Sequence, residues 1–443
     1  MNKYLNNIAF SVGAFFFLII VLFNIKDIYN TIPGDGWAYN ELFINYSQGL
    51  IRRGILGSIF IFFSENFSIR PEIFFNSIIA FFHFINAIIF LILINKYKNF
   101  KFIILLLLFS PALLLFAIYE INVFLAKDVF TNFAILLHAY FANLKIKNSI
   151  DYTFYSKILN FLIIPIIFFN ILNHENQFFF ISVHFLITLF IFQIKNYNEF
   201  KKKINYFFSY IILLIPIFFV IYYSQLSYLS FENLNFYLIN NFGTSVNSEI
   251  TGNINLKIGG LLKQHFSNNT IENFFNFFIC LLLSVFLIFL IFEFFLEKKI
   301  LSINKFYKKY YLLFFLPCLG LFIQIDHGRT LNILSIHLLS FYLCLKMDEN
   351  KLRKLFKINN IKKYLISVFI FLYSFTWFMP QGGGYNGIGN FNNNCSIIKN
   401  TLLLEITRMF ISSYDIIDKK VTNLPYVVHN WEGKFDKNGT CDN

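Results

Sequence analysis

The chain has 443 residues, of which 57% are hydrophobic and only 14% are charged, and its mean hydropathy is +0.59. So little charge cannot cover the surface of a soluble protein of this length. Apolar runs of about 17–25 residues, enough to cross a hydrocarbon core of ~30 Å, recur along the sequence. We therefore predict an all-α, polytopic membrane protein. The net charge of +13 is attributed to loops that orient such a protein, and without a nucleic-acid-binding motif we expect no nucleic-acid partner.

About eleven transmembrane helices are predicted from these runs, and they form a helical bundle over residues 1–379. The first run is interpreted as a retained helix rather than a signal peptide, because no small-residue cleavage site follows it. The predicted spans are 8–25, 76–95, 102–118, 128–144, 158–172, 177–194, 206–223, 274–296, 309–324, 331–346 and 363–379.

The loops between these spans differ in charge from one side of the membrane to the other. With the N-terminus in the cytoplasm, the short inner segments hold well over half of the 37 basic residues, and the outer segments hold most of the 24 Asp and Glu. One alternation thus satisfies the positive-inside rule along the chain. The inner segments are 1–7, 96–101, 145–157, 195–205, 297–308 and 346–362.

Three outer segments are long. The first, 26–75, contains an apolar piece, Ile51–Phe63, which is too short to span and is predicted as an interfacial or re-entrant helix. The second, 224–273, has a short amphipathic piece near Leu261. The third is the tail, 380–443, where an amphipathic helix at 401–413 is expected to lie on the membrane.

Five cysteines are present, and none has the spacing of a zinc site. Cys280, Cys318 and Cys344 fall within apolar spans and are interpreted as small core residues. Cys395 and Cys441 lie in the outer tail, and whether they form a disulfide remains open.

Four short outer stretches each combine acidic and basic side chains, which the inner loops do not do so compactly. Each stretch also has a simpler interpretation, as a polar turn, a local ion pair such as Lys127 with Asp128, or an anchor for lipid headgroups. If the helices pack as a bundle, we expect the four stretches to converge on one outer pocket. Their residues are Asp35, Glu41, Arg52 and Arg53; Glu120, Lys127 and Asp128; His174 and Glu175; and Asp326, His327 and Arg329.

The carboxylates and the histidine of these stretches are candidate catalytic groups. A carboxylate takes a proton from a hydroxyl or holds a divalent metal, so Asp35 or Glu41 is a candidate base or a ligand of Mg²⁺ or Mn²⁺. His174 and Asp326 are candidates for orienting a substrate or relaying a proton.

The cations of the same stretches are candidates for binding phosphate. Arginine binds phosphate through paired donors, and a cluster of cations stabilises a departing phosphate. The candidates are Arg52, Arg53, Lys127 and Arg329. By contrast, His138, His184 and His337 lie within predicted spans, where a single histidine is interpreted as a packed, hydrogen-bonded residue.

The overall layout resembles that of the C-type membrane glycosyltransferases. The shared features are many helices, an acidic residue in the first large outer loop, membrane-lying helices in that loop and a trailing outer segment. The resemblance implies transfer of a sugar from a polyprenyl-phosphate carrier on the periplasmic face of a bacterial inner membrane. Asp35 or Glu41 corresponds to the first-loop acid of that family. The implied partners are membrane lipid, the lipid-linked sugar and other proteins of glycan assembly.

Other functions share parts of this pattern. The layout is also similar to that of O-antigen polymerases and ligases, which use outer-loop arginines, here Arg52, Arg53 and Arg329. A transporter or flippase for lipid-linked sugars would place charges along a path through the bilayer. A non-catalytic membrane scaffold would tolerate loss of the outer charges. The sequence leaves these alternatives open.

Overall fold

A computed structural model describes the structure of part of the chain. Of the residues singled out above, Asp35, Arg52, Glu120, Asp326, the piece near Leu261 and the tail lie outside the described residues. These are 3–28, 40–49, 51, 53–97, 101–110, 112–116, 126–192, 194, 197–226, 228–243, 245–246, 255, 278–289, 292, 313, 316–318, 327–344 and 368–374.

The described residues are mostly helical and include no strand. Most of the helices coincide with the predicted spans, with borders that differ by several residues. In chain order they are α1 (Lys3–Ile28), α2 (Gly54–Phe67), α3 (Pro71–Asn95), α4 (Lys101–Leu108), α5 (Asp128–Ile146), α6 (Tyr152–Asn173), α7 (Gln177–Ile191), α8 (Tyr197–Lys202), α9 (Ser209–Ile212), α10 (Leu214–Leu226), α11 (Phe231–Phe242), α12 (Phe278–Phe289) and α13 (His327–Cys344).

Three of these helices, α3, α5 and α6, are long and apolar enough to cross a membrane. Shorter apolar helices include α2, α7 and α12. The chain therefore has the character of a helical membrane protein, and the number of eleven spans remains a prediction.

Helix α5 lies at the centre of the bundle, with α3, α7 and α13 packed around it. The rings of Phe82 on α3 and Phe130 on α5 meet edge to face, with centroids 4.8 Å apart. Helix α13 is buried at every residue from 328 to 344. It runs parallel to α5, because Arg329 pairs with Asp128 at one end and Cys344 lies 3.6 Å from the Ala139 carbonyl further along.

Lysines at one end of the bundle contact the C-termini of helices. Lys96 donates to the Leu343 carbonyl at the end of α13, and Tyr97 donates to the same oxygen at 3.0 Å. Lys203 donates to the Phe192 carbonyl at the end of α7 at 2.6 Å. A cation at a helix C-terminus stabilises the partial negative charge there. We call this end of the molecule the basic end.

The apolar piece predicted at Ile51–Phe63 is a helix, α2, that begins three residues later and ends at Phe67. It is followed after a short turn by α3, and Phe60 packs against Phe74 and Phe75. The side chain of Asn86 on α3 donates to the Val129 carbonyl at the start of α5. The 15 residues of α3 before Asn86 therefore extend ~22 Å beyond that level, at 1.5 Å per residue.

The start of α2 is fixed by a very close backbone approach. A Cβ added at Gly57 would lie 2.1 Å from the carbonyl oxygen of Ile44 and 2.7 Å from that of Leu42. Only glycine fits such a contact. The segment 40–45, which is fully buried, is thereby pressed against the first turn of α2.

One helix of the second long outer segment was not predicted. Helix α11 buries Leu234 and Leu238 and exposes Phe236 on another side. The hydroxyl of Tyr237 donates to Glu65 on α2 at 3.0 Å. Helix α11 therefore lies at the end of the bundle opposite the basic end.

Candidate functional site

Arg53 connects two segments that are far apart in the sequence. Its Nη1 donates to Glu41 Oε1 at 2.6 Å, and its Nε donates to Glu175 Oε2 at 2.8 Å. Its Nη2 donates to the other oxygen of Glu175. A guanidinium that meets a carboxylate through two parallel hydrogen bonds makes one of the stronger and more directional polar contacts in proteins. Arg53 thus joins the start of α2 to the turn between α6 and α7.

The backbone at Arg53 is in a rare conformation that its neighbours hold in place. Its φ is 65°, in the left-handed region that non-glycine residues seldom adopt. Lys127 donates from Nζ to the Arg53 carbonyl at 2.9 Å. Gly54, the next residue, lies against the ring of Tyr46, where an added Cβ would be 2.6 Å from a ring carbon. These contacts aim the Arg53 guanidinium at its two carboxylates.

Lys127 and Asp128 do not pair with each other within the described part of the chain, so their interpretation as a local ion pair is wrong. Lys127 is buried and donates to Arg53. Asp128 accepts from Arg329 Nε at 2.8 Å. An acidic residue in the first turn of α5 also stabilises the helix dipole. Two adjacent residues therefore connect α5 to two different parts of the bundle.

The electrostatics of Glu41 are set by its neighbours rather than by its burial. Burial alone raises the pKa of Glu41, but the nearby charges of Arg53, Lys127, His174 and Arg329 together lower it to about 2. Glu41 is therefore ionised throughout the physiological pH range. Arg53 lies at the start of α2, and Lys127, His174 and Arg329 each lie at or next to a different turn. All four affect the pKa of Glu41, so these parts of the chain form one electrostatic unit.

The neighbouring bases respond in the opposite way. Burial and the charge of Arg53 lower the pKa of Lys127 to about 8, despite the opposing effect of Glu41. Burial and Arg53 also lower the pKa of His174 to about 4. Near neutral pH Lys127 is mostly charged and His174 is neutral.

The described charges balance one another. Near Glu41, the three cations Arg53, Lys127 and Arg329 are each in contact with a carboxylate or a carbonyl, and three carboxylates lie among them. We call the following seven residues the ionic network: Glu41, Arg53, Lys127, Asp128, His174, Glu175 and Arg329.

Near the ionic network, the buried side-chain atoms of described residues that lack a hydrogen-bond partner are acceptors. Glu41 Oε2 is buried and has no hydrogen-bond partner among the described residues. The same holds for Asn173 Oδ1 and Gln177 Oε1, on either side of the turn that carries His174 and Glu175. A buried acceptor without a donor is costly. The region is therefore suited to a ligand that brings hydroxyl hydrogens.

The described residues include no group of three or more His, Cys, Asp or Glu side chains placed to hold a metal ion. The Mg²⁺ or Mn²⁺ considered from the sequence depends on Asp35, which lies outside them. Glu41 supplies one unpartnered carboxylate oxygen for such an ion.

The structure brings together Glu41, Arg53, Lys127, His174 and Arg329, all singled out from the sequence. Asp35, Arg52 and Asp326 lie outside the described residues, and His327 begins α13. Sequence reasoning did not identify the partners of these groups. Glu175 and Asp128 were noted only as neighbours of His174 and Lys127, and no local signal indicates that their partners are distant arginines.

A second polar cluster was also missed. His138 and His184 were each interpreted as single packed residues, but their Nδ1 atoms are 3.0 Å apart. The ring of His337 lies edge to face with His184, at a centroid distance of 5.8 Å. The three residues lie on α5, α7 and α13, and no sequence pattern links them.

No protein family, no curated protein and no solved structure matches this chain. The resemblance to the C-type membrane glycosyltransferases therefore remains a prediction.

Proposed function

We propose that this chain is a multi-pass glycosyltransferase of a bacterial inner membrane that takes a sugar from a polyprenyl-phosphate or polyprenyl-diphosphate donor on the periplasmic face. The main support is the ionic network, buried at one end of the helical bundle, in which one oxygen of Glu41 has no hydrogen-bond partner among the described residues. The network lies where α5, α7 and α13 begin and where α6 ends. The reaction joins this sugar to a hydroxyl of an acceptor.

The pKa of Glu41 decides which role suits it. A general base works best when its pKa is close to the operating pH. A carboxylate with a pKa of about 2 is a weak base but a permanent anion, so we assign Glu41 Oε2 to accept a hydrogen bond from a sugar hydroxyl. The role of base is then assigned to Asp35, the other of the two carboxylates that the sequence offers as a base or metal ligand.

Both Glu41 and Glu175 bind the Arg53 guanidinium, so a phosphate can bind there only if one of these carboxylates moves away. Glu175 is the better candidate to move. Its side chain is 20% exposed, whereas that of Glu41 is fully buried. Glu175 occupies the Nε and Nη2 edge of Arg53, which is the edge that binds a phosphate through two parallel hydrogen bonds. We infer that Glu175 holds this edge in the absence of the donor and leaves it when the phosphate arrives.

The proposed topology has about eleven spans, a cytoplasmic N-terminus and a periplasmic tail. This topology is supported by the difference between the two ends of the bundle: the ionic network lies at one end and the lysines of the basic end lie at the other. Helices α5 and α13 both begin at the ionic network, with Asp128 and Arg329, and both end near the basic end. Lysines are expected on the cytoplasmic side, so the ionic network is assigned to the periplasmic side.

The experiment is the surface-glycan profile of a strain that lacks the gene, complemented with single variants. Glu41→Gln removes the charge and keeps the shape, and Glu65→Gln is the matched control, since Glu65 is an exposed acid on α2. We expect lost glycan with Glu41→Gln at normal protein level in the membrane, and normal glycan with Glu65→Gln. Normal glycan from both Glu41→Gln and Arg53→Lys would overturn the proposal. Loss of one sugar indicates a transferase, and shortened chains indicate the polymerase or ligase alternative.

A further inference from the structure

Helix α3 exposes a mostly apolar stripe that continues well beyond the level of its hydrogen bond to α5. The members of the stripe follow one another at spacings of three or four residues, and each is exposed or half-buried: Ile73, Ser77, Phe81, Phe84, Ile88 and Ile92. From Ile73 to Ile92 the stripe is ~29 Å long at 1.5 Å per residue. This length matches a hydrocarbon core of ~30 Å, and no Asp, Glu, Lys or Arg occurs between its two ends.

Helix α2 adds a second apolar surface beside this stripe. Its Phe62 and Phe67 side chains are 59% and 62% exposed. The charged residues of the α2–α3 hairpin are Glu65, Arg70 and Glu72, which all lie close to its tip. A helix pair that stood in water would carry charged and polar side chains along its exposed faces. The distribution of charge therefore favours an apolar environment around the hairpin below its tip.

Two polar side chains of the hairpin form hydrogen bonds to their own helix. Asn66 donates from Nδ2 to the Phe62 carbonyl at 2.7 Å, and the Ser77 hydroxyl donates to the Ile73 carbonyl at 2.7 Å. Both bonds reach back four residues along the helix, a local pattern that needs no water. In lipid, polar groups have to find their partners within the protein. These positions therefore meet the requirements of lipid contact.

Helix α3 is continuous from Pro71 to Asn95, so the hairpin is an extension of a helix that belongs to the bundle. The helix is long and apolar enough to cross a membrane, and the rings of Phe60 and Phe75, 4.7 Å apart, hold α2 against it. We propose that the hairpin stands in the bilayer with its tip at the surface opposite the basic end, so that acyl chains of the lipid cover the exposed faces of α2 and α3. Helix α2 is then re-entrant rather than interfacial, two alternatives that the sequence leaves open.

The position of the hairpin in lipid has a consequence for Arg53. Helix α2 has 14 residues, which is ~21 Å at 1.5 Å per residue, and Arg53 directly precedes it at the end away from the tip. Arg53 is therefore below the membrane surface. A charged side chain there is expensive unless it is paired, and the Arg53 guanidinium is bound by both Glu41 and Glu175. Its pairing with two carboxylates agrees with acyl chains around the hairpin.

The test is the quenching of single tryptophans by brominated phosphatidylcholine, in vesicles that contain the full chain with its three native tryptophans replaced by phenylalanine. Phe62→Trp, Phe67→Trp and Phe81→Trp are each expected to lose fluorescence to bromine on the acyl chains. Bromine near the headgroup should quench Phe67→Trp most strongly, and bromine near the end of the acyl chain should quench Phe81→Trp most strongly. Phe81 lies ten residues from Pro71 at the start of α3, so the depths of these two tryptophans should differ by ~15 Å.

Two control positions calibrate the quenching. Phe161 is 82% exposed on α6, and Phe161→Trp should be quenched by brominated lipid. Ser149 is exposed after α5, and Ser149→Trp should be quenched by aqueous iodide but not by bromine. Quenching of Phe62→Trp and Phe81→Trp by iodide would place the hairpin in water, quenching by neither agent would show that protein covers it, and equal shallow depths for Phe67→Trp and Phe81→Trp would show that it lies flat on the membrane. Each of these results would overturn the proposal. The vesicles hold no sugar donor, so the result is independent of the proposed transfer.

Discussion

Arg53 and Glu175 are 122 residues apart in the chain, yet the Arg53 Nε atom donates to Glu175 Oε2 at 2.8 Å and a second hydrogen bond runs parallel to it. This contact ties the base of the α2–α3 hairpin to the turn between α6 and α7. Because Glu41 holds the remaining side of the same guanidinium, the ionic network depends on Arg53 more than on any other described residue.

Replacing Arg53 should therefore lower the stability of the folded protein. Arg53→Ala leaves two carboxylates without their cation, and breaking a buried ion pair from one side costs about 3–5 kcal/mol. We expect a large fall in thermal stability in detergent, measured by unfolding of the purified protein. The control is Arg70→Ala. The Arg70 side chain is 66% exposed, and its Nε atom lies 3.5 Å from Glu72 Oε2, which is a longer and more exposed contact than those of Arg53. Similar losses from the two variants would contradict the central position of Arg53.

The exchange of Glu175 for phosphate predicts opposite effects at the two carboxylates. Glu175→Gln weakens the group that competes for Arg53, so we expect a lower KM for the lipid-phosphate donor in vesicles. Glu41→Gln should lower kcat, because it removes the anion assigned to the sugar. A raised KM in Glu175→Gln would show that Glu175 supports donor binding rather than competing with it.

The low pKa of Glu41 predicts acid sensitivity. The pKa is about 2 in the folded protein and 4.5 in the unfolded reference, so the unfolded state binds the proton more readily. The stabilisation is complete above pH 4.5 and is lost as the pH falls toward 2; it amounts to about 3 kcal/mol at 1.36 kcal/mol per unit. Unfolding temperatures measured from pH 6 to pH 2.5 should fall less steeply in Glu41→Gln than in wild type. Parallel curves would refute the assignment.

The close approach at Gly57 predicts that even one methyl group is harmful. Gly57→Ala puts a Cβ within 2.1 Å of the Ile44 carbonyl oxygen, so α2 or the segment 40–45 has to move. Overpacking of this kind typically costs about 1–3 kcal/mol, and Arg53 would shift with the helix. Asn66→Ala, at an exposed position of α2, is the control and should unfold at the wild-type temperature within error.

Sidedness can be tested with single cysteines in a chain whose native cysteines are replaced. Ser68 lies at the end of α2 and Ser149 lies after α5, and both are exposed. We expect a membrane-impermeant maleimide to label Ser68→Cys in intact cells and Ser149→Cys only after permeabilisation. Labelling of both from the same side would remove the proposed topology.

Much of the helical arrangement could be predicted from the sequence, since apolar length alone places α3, α5 and α7 to within several residues. The gathering of Glu41, His174 and Arg329 at one end also follows from alternate loops. The partners of the charged side chains could not be predicted from the sequence. Lys127 and Asp128 are adjacent but have different distant partners, and nothing local specifies either one. The left-handed backbone of Arg53 and the contact at Gly57 likewise depend on residues that a local pattern does not include.

The contact between Arg53 and Glu41 has a consequence for synthesis. Glu175 is made 122 residues after Arg53, which at ordinary rates of translation is a delay of about 6–25 s. During that interval Glu41 is the only one of the two carboxylates described at the Arg53 guanidinium that has already been made. We therefore expect the ribosome-bound intermediate to tolerate Glu175→Gln but to mis-insert with Glu41→Gln, so that the two carboxylates serve the newborn chain at different times.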